Sequence, residues 1–476
     1  MQMRLRRLTL FRAGIALVFL SSALLSSAFP LRVKGVDTVR TSILIRDLRF
    51  GVDIVAENID RSLIPASVMK SVTVASMLNL ADTQERFSTP VIAEGVISDS
   101  VLDGNIVVRV CGDPTIESQY FPASQGFADS IASGLERLGV KTVRGRVIID
   151  ESDFPDATTP PGWMDEDIPW YYGARLQGAN FRDNRFRLRL PSKSTEPFVP
   201  DLKFNYVKGR GKRVKIDRKD GSETFIVTGN TRRGLSDVFA TPYPYKVMRH
   251  EIVSKLEGRG IKVEGGKLPP ADMVREVYVH RSPAFADIMR SLMYRSDNLM
   301  AEGILRAITP GGTRSDAINE ELAVWSMAGV SAHGVEIKDG SGLSRDNRLT
   351  ARFLADMYQY MITDPFASDY SSLFPRAGYD GTMRNFLAGT PLEGRVAMKT
   401  GSMKGVQSYA GYLFDEDGNP THILVFMINN FRCSRAALKN DIQRLLLEKF
   451  DVSLQTENPA EEGADETDED SKEDEK

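Results

Sequence analysis

The sequence predicts an α/β (α+β) protein: a central antiparallel sheet flanked by helices, with a large β-rich module inserted into it. Three observations carry this. Strand-like runs stand near both ends of the chain, two early and three late. Helical patterns crowd the stretch before the late strands. Between roughly residues 82 and 278 the texture changes to short strands rich in proline and glycine. With 476 residues, 42% hydrophobic and 26% charged, the chain has volume for more than one core.

The chain opens on "MQMRLRRLTLFR", four arginines and no acid, followed by the short apolar run "AGIALVFLSSALLSSA". A charged start, an apolar stretch and small residues before a break read as a signal peptide over 1–28, cleaved after Ala28. The apolar run is shorter than the ~20 residues a spanning helix needs, so no stable membrane span is expected after cleavage. No cysteine lies near the break, which excludes a lipoprotein anchor. Arg6-Arg7 hints at twin-arginine export, but Thr9 stands where that pattern wants a bulky apolar residue, so the general secretory route is expected.

"TSILIRDLRFGVDIVAENID" reads as two strands around a turn at Gly51. "IPASVMKSVTVASM" follows, and Ser67 stands at a helix start after Pro65. Residues three apart share a helix face, so Lys70 is Ser67's neighbour. A buried lysine with a lowered pKa can take a proton from such a serine, and helix-start N–H groups can stabilise its oxygen. By itself Ser-x-x-Lys is a loose motif and reads better as a serine cap beside a snorkelling lysine.

In the inserted region, "SGLERLGVKTVRGRVII" and "SKLEGRGIKVEGGKLPP" resemble each other as helix, glycine turn and strand, so the module over 82–278 has room for two lobes. The basic run "VKGRGKRVKIDRK" reads as a solvated hairpin. Downstream, Ser282 suits an N-cap and Pro283 a first helical residue. Phe285, Ile288, Met289, Leu292 and Met293 then form a core-facing stripe. Further helices are expected around "DAINEELAVWSMAG" and "TARFLADMYQYMI". "GRVAMKTGSM", "SYAGYLF" and "THILVFMINN" are the late strands, and "CSRAALKNDIQRLLLEKF" closes the body as a helix. From Asn458 the tail holds ten acids and two lysines with nothing to bury, so disorder is expected over 458–476. Removing its −8 and the +4 of the leader from the total of −3 leaves a body of +1, which argues against a nucleic-acid partner. Cys111 and Cys433 leave the question of a disulfide open. His250, His280, His333 and His422 lack metal-ligand spacing, so no metal is expected.

Two more short motifs complete a constellation. Ser296-Asp297-Asn298 falls at a turn after the Met-rich helix, and Lys399-Thr400-Gly401-Ser402 falls on the first late strand. Alone, the first could be a helix cap and the second an edge strand with a glycine bulge. The chain holds a single Ser-x-x-Lys, and the three motifs follow in order, each on a fitting element.

On these motifs the chain resembles the D-alanyl-D-alanine carboxypeptidase/endopeptidase family, the class C low-molecular-mass penicillin-binding proteins of serine type. "CGDPTI", "PGWMDEDIPWYYGA", "DGSGLSRDNRLTAR" and "AGYDGTMRNFLAGTPLEGRVAMKTGSMKGVQSYAGYL" extend the resemblance from the first strands to the last helix. It implies a penicillin-recognising, transpeptidase-like domain over 29–81 and 279–457, interrupted by the module. It also implies action on peptidoglycan stem peptides in the periplasm or cell envelope, covalent inhibition by β-lactams, and no cofactor. Ser67 would attack the carbonyl between two D-alanines, with Lys70 as its base. Ser296 would relay a proton to the leaving amine, and Asn298 would hold Lys70 and the substrate amide. Lys399, Thr400 and Ser402 would hold the terminal carboxylate beside Gly401. The N–H groups of Ser67 and Ser402 would form an oxyanion hole.

Asp339 to Asn347 is polar and glycine-rich, and a structural turn is expected there rather than direct catalysis. A β-lactamase-like hydrolase uses the same motifs, but no glutamate loop suited to fast deacylation follows Ser296 closely. A catalytically idle peptidoglycan-binding protein is the other alternative, and the intact motif set speaks against it.

Overall fold

The computed structural model describes residues 29–209, 214–230, 232, 234–364 and 369–450. The leader and acidic tail expected from the sequence lie outside the described residues.

Strands β1 (Thr41–Asp47) and β2 (Val52–Glu57) form an antiparallel hairpin whose turn holds Gly51 at φ +64°. A single 3₁₀ turn, Ala66–Val68, leads into α1 (Met69–Leu80). Ten of the twelve α1 residues are buried, the pattern of a helix enclosed on every side.

The inserted region then runs β3 (Ser88–Ser98), β4 (Val101–Arg109), α2 (Phe127–Arg137), β5 (Thr142–Val143) and β6 (Val147–Asp150). It continues through β7 (Arg185–Leu190), β8 (Ser194–Glu196), β9 (Lys203–Val207), β10 (Lys215–Asp217), β11 (Thr224–Thr228) and β12 (Leu235–Ala240). Helix α3 (Pro244–Gly258), β13 (Lys262–Val263) and β14 (Val274–Arg281) end it. One mixed sheet has the order β13-β5-β4-β3-β14 with β6 on β4, and two three-stranded sheets stand beside it. A core of their own, from Val91 to Val277, holds these strands together.

The two look-alike segments fold alike. Val140 N donates to Leu135 O, and Ile261 N donates to Leu256 O, each after a glycine in the left-handed region, Gly139 at +73° and Gly260 at +80°. The strands that follow, β5 and β13, pair in parallel. The basic run is not a hairpin. β9 and β10 lie on opposite edges of one sheet with β11 between them, and the hairpin is β10–β11. The parallel β9–β11 pairing overrides what turn chemistry alone suggests.

The chain returns through α4 (Phe285–Arg295), α5 (Asn298–Ala307), α6 (Arg314–Met327) and α7 (Ala351–Thr363). The expected stripe of α4 is buried, but the helix starts two residues later than its sequence suggests, with Ala284 as N-cap. Ser282 serves a tertiary tie instead: its Oγ accepts from Phe87 N at 2.9 Å and donates to Pro283 O. Strands β15 (Val396–Met403), β16 (Val406–Phe414) and β17 (Pro420–Asn429) and helix α8 (Arg435–Phe450) complete the body.

Both ends of the chain meet in one sheet, β15-β16-β17-β1-β2, antiparallel throughout. Along β17, Ile423, Val425 and Met427 face a core shared with α1 and α4–α7, while Leu424, Phe426 and Ile428 face α8. Two covered faces explain why these strands read as unbroken apolar runs. Cys111 packs at the first of these cores and Cys433 at the second, and both thiols are unpaired. No helix among the described residues is long and apolar enough to cross a membrane.

Candidate active site

Four elements converge at the edge of the five-stranded sheet. The 3₁₀ turn before α1 carries Ser67, and Ala66 just before it takes a left-handed φ of +49°. A non-glycine residue in that region stores local strain, here next to the half-buried serine. One helical turn on, Lys70 is wholly buried. Its Nζ lies 3.0 Å from Ser67 Oγ, 2.6 Å from Asn298 Oδ1 and 2.5 Å from the Ser341 carbonyl oxygen. An ammonium would donate to all three. A neutral amine would keep its two N–H groups on Asn298 and Ser341 and turn its lone pair to the Ser67 hydroxyl, the geometry of a general base.

Burial pulls the Lys70 pKa down to about 8, against the opposing pull of Asp339, Asp297 and Glu302. Like-charge repulsion acts on the second lysine instead. Lys399, on edge strand β15, is held well below the usual lysine range by burial first and by Lys70 second. Its Nζ donates to Ser296 Oγ and to the Thr400 carbonyl, both at 2.8 Å.

Ser296 caps α4 in the left-handed region, φ +61°. Asp297 caps α5, accepting from Met300 N at 2.9 Å, so the side-chain cap belongs to the middle residue of this motif, while Ser296 caps α4 through its backbone. The two caps back to back let Ser296 meet Lys399 while Asn298, the first residue of α5, meets Lys70. Thr400 Oγ1 donates to Thr382 Oγ1 at 2.8 Å, and Ser402 Oγ donates to Gln407 Oε1 at 2.9 Å.

Gly401 is required by close approach. A Cβ there would stand 2.7 Å from Pro65 O and 3.0 Å from Ser67 N. Gly401→Ala therefore forces β15 and the Ser67 turn apart by a few tenths of an ångström. Small displacements at a reacting centre can cost on the order of 10²-fold, so acylation by a fluorescent penicillin should fall roughly ten- to hundredfold. The thermal transition should move little by comparison, because only the edge strand shifts. Stopped-flow labelling beside a melting curve checks both.

All eight sequence-predicted site residues thus meet in one place. Ser67, Ser296, Thr400 and Ser402 line a cleft of about 580 Å³, with Lys70 and Lys399 beneath it. A second cavity of about 920 Å³ shares Ser296 and Thr382 with that cleft and adds Asn298, Tyr120, Tyr172 and Arg295. Among the described residues no cluster of His, Cys, Asp or Glu is placed to hold a metal ion.

Several contributors to the site had no role that the sequence assigned beyond a structural turn. The Asp339–Asn347 stretch is a turn knotted on Asp339, whose carboxylate accepts from Gly342 N, Ser344 N, Asn347 Nδ2 and Trp163 Nε1. That turn aims the Ser341 carbonyl at Lys70. Glu302, buried and pushed up to about 7 by burial, fixes it further by accepting from Ser341 N at 2.9 Å. The inserted module reaches the site as well: Asn298 Nδ2 donates to the Tyr172 carbonyl at 2.7 Å. Any backbone carbonyl looks the same in a sequence, so neither Ser341 nor Tyr172 could have been singled out by residue type.

A model of the D-Ala-D-Ala carboxypeptidase 3 (S13) family matches residues 34–447. The chain is 29% identical to the D-alanyl-D-alanine carboxypeptidase of Actinomadura sp. (strain R39), over 82% of this chain and 77% of that protein. It is 26% identical to the D-alanyl-D-alanine carboxypeptidase DacB of Haemophilus influenzae, over 92% and 97%. Its fold is similar to the crystal structure of penicillin binding protein 4 (dacB) from H. influenzae, with a TM-score of 0.76, 22% identity, and 88% of this chain and 98% of that one covered.

Proposed function

The chain belongs to the D-Ala-D-Ala carboxypeptidase 3 (S13) family, and on that premise we propose how its own residues carry out the reaction. It is a serine-type peptidase, a hydrolase, with the penicillin-binding fold of that family. The reading assigns residues 29–81 and 279–457 to the peptidase domain and 82–278 to the inserted module.

Neutral Lys70 takes the Ser67 proton as Oγ attacks the carbonyl carbon between two terminal D-alanines. The tetrahedral oxyanion is met by the N–H groups of Ser67 and Ser402. Ser296, bonded to Lys399 Nζ, relays to the leaving amine the proton that Lys70 took from Ser67, so Lys70 is neutral again as the C–N bond breaks to free D-alanine. Water then hydrolyses the acyl ester and restores the Ser67 hydroxyl. Asn298 holds Lys70, and Lys399, Thr400, Gly401 and Ser402 form the strand along which the substrate lies. One observation carries this reading: a buried lysine Nζ at 3.0 Å from the serine, with its two other bonds fixed.

The substrates are peptidoglycan stem peptides, which place the enzyme in the periplasm or cell envelope. β-Lactams acylate Ser67, in keeping with the H. influenzae protein, whose structure has been described in complex with a β-lactam. Among the described residues no aspartate or glutamate lines the Ser67 cleft, which favours a slowly deacylating peptidase over a β-lactamase. The adjoining cavity favours a second activity, cleavage of cross-links, because it offers room beyond a terminal dipeptide. Digestion of purified wall fragments should release D-alanine from pentapeptide ends and monomers from cross-linked dimers, as read by mass spectrometry. Release of neither product would overturn the reading.

A further inference from the structure

The Ser67 cleft has an uncompensated positive wall. Arg435 and Lys439 of α8 both line it, and no acid does among the described residues. On the same helix Arg444 pairs with Asp441 and Glu448. Among the described residues Arg435, by contrast, bonds only neutral oxygens. Its Nη1 donates to Val406 O at 3.0 Å and to Gln407 Oε1 at 2.8 Å, and its Nη2 donates to Met403 O. A guanidinium has five N–H donors, so two remain. Gln407 Oε1 also accepts from Ser402 Oγ at 2.9 Å, so a short bonded chain joins the Lys-Thr-Gly strand to the guanidinium. Lys399 does not present its charge to this side, because its Nζ is buried and turned to Ser296 and the Thr400 carbonyl.

We infer that Arg435 is a specificity-determining residue that reads the substrate carboxylate beside the scissile bond, with Ser402 and Thr400 supplying hydroxyls. A guanidinium anchored on neutral oxygens keeps its full charge and is held in place beforehand, so little ordering cost falls on binding. The assignment rests on the carboxypeptidase reading, since that reaction presents a free carboxylate one residue from the bond that breaks.

The test measures kcat/KM of the wild type, Arg435→Ala and Arg435→Lys on a D-Ala-D-Ala peptide and on its C-terminal amide. A charged hydrogen bond corresponds to roughly ten- to hundredfold in rate. The wild type should prefer the acid by about that factor. In Arg435→Ala the loss should fall on the acid, and the preference should shrink to less than about threefold, with Arg435→Lys recovering part of it. Equal losses on acid and amide, unrescued by lysine, would show a brace for the β15–β16 turn and overturn the proposal. A parallel arm compares acylation by benzylpenicillin and by its methyl ester. A wild type that is acylated but cleaves neither peptide would overturn the peptidase reading, and the acid–ester ratio in the variants would then decide the role of Arg435 on its own.

Discussion

Ser67→Ala is expected to abolish covalent labelling by benzylpenicillin and to lower D-alanine release by on the order of 10⁴-fold or more, the scale seen when a catalytic serine is removed. The structure says why the loss should be chemical. Ser67 is half-buried in a 3₁₀ turn, and its hydroxyl's contact is with Lys70. Taking that oxygen away leaves Lys70 with Asn298 and the Ser341 carbonyl, so the lysine stays in place. Stability should shift by no more than about 1 kcal/mol, as for a substitution that opens no core cavity. Intact-mass spectrometry of the drug-treated protein should show one adduct in the wild type and none in the variant. An adduct that persists in Ser67→Ala would place the nucleophile elsewhere.

Lys70→Ala should slow penicillin acylation by about 10²–10⁴-fold, the range attributed to a positioned general base. It should also cost stability, because the Asn298 and Ser341 oxygens lose a buried donor, at about 1–3 kcal/mol for each group left unsatisfied. The pH profile separates these effects. A lysine works as a base only when neutral, and burial has drawn its pKa down to about 8. Acylation by the wild type should therefore rise about tenfold per unit between pH 6 and 8 and level off above. The variant should lack that rise. A wild-type profile flat across this window would mean that Lys70 is not the group whose deprotonation limits the reaction.

Much of the architecture was legible because its causes are local. The turn at Gly51, the α4 stripe and the two glycine-terminated helices each depend on residues within a few positions of one another. So does the Ser67–Lys70 contact, which follows from a three-residue helical spacing. Where expectation and structure part, a distant partner has intervened. Ser282 has the right chemistry for a cap, yet Phe87, 195 residues away, takes its hydroxyl. The basic run after β9 has the right chemistry for a hairpin, yet β11 takes the place between the strands it joins.

By itself the sequence determined the three motifs, their order, the class of element under each and the buried two-faced strands of the central sheet. These are properties of side-chain type and short spacing, which a linear chain displays directly. Only the tertiary structure decided which groups surround Lys70. Asn298 comes from 228 residues away and the Ser341 carbonyl from 271. The Tyr172 carbonyl arrives from the inserted module to hold Asn298. Arg435 lies on the closing helix, and only the packing of α8 against the sheet that carries Lys399 brings it to the cleft. A carbonyl has no residue identity, and an arginine's partners are set by packing. Such contributions become visible only when the long-range contacts that position them have formed.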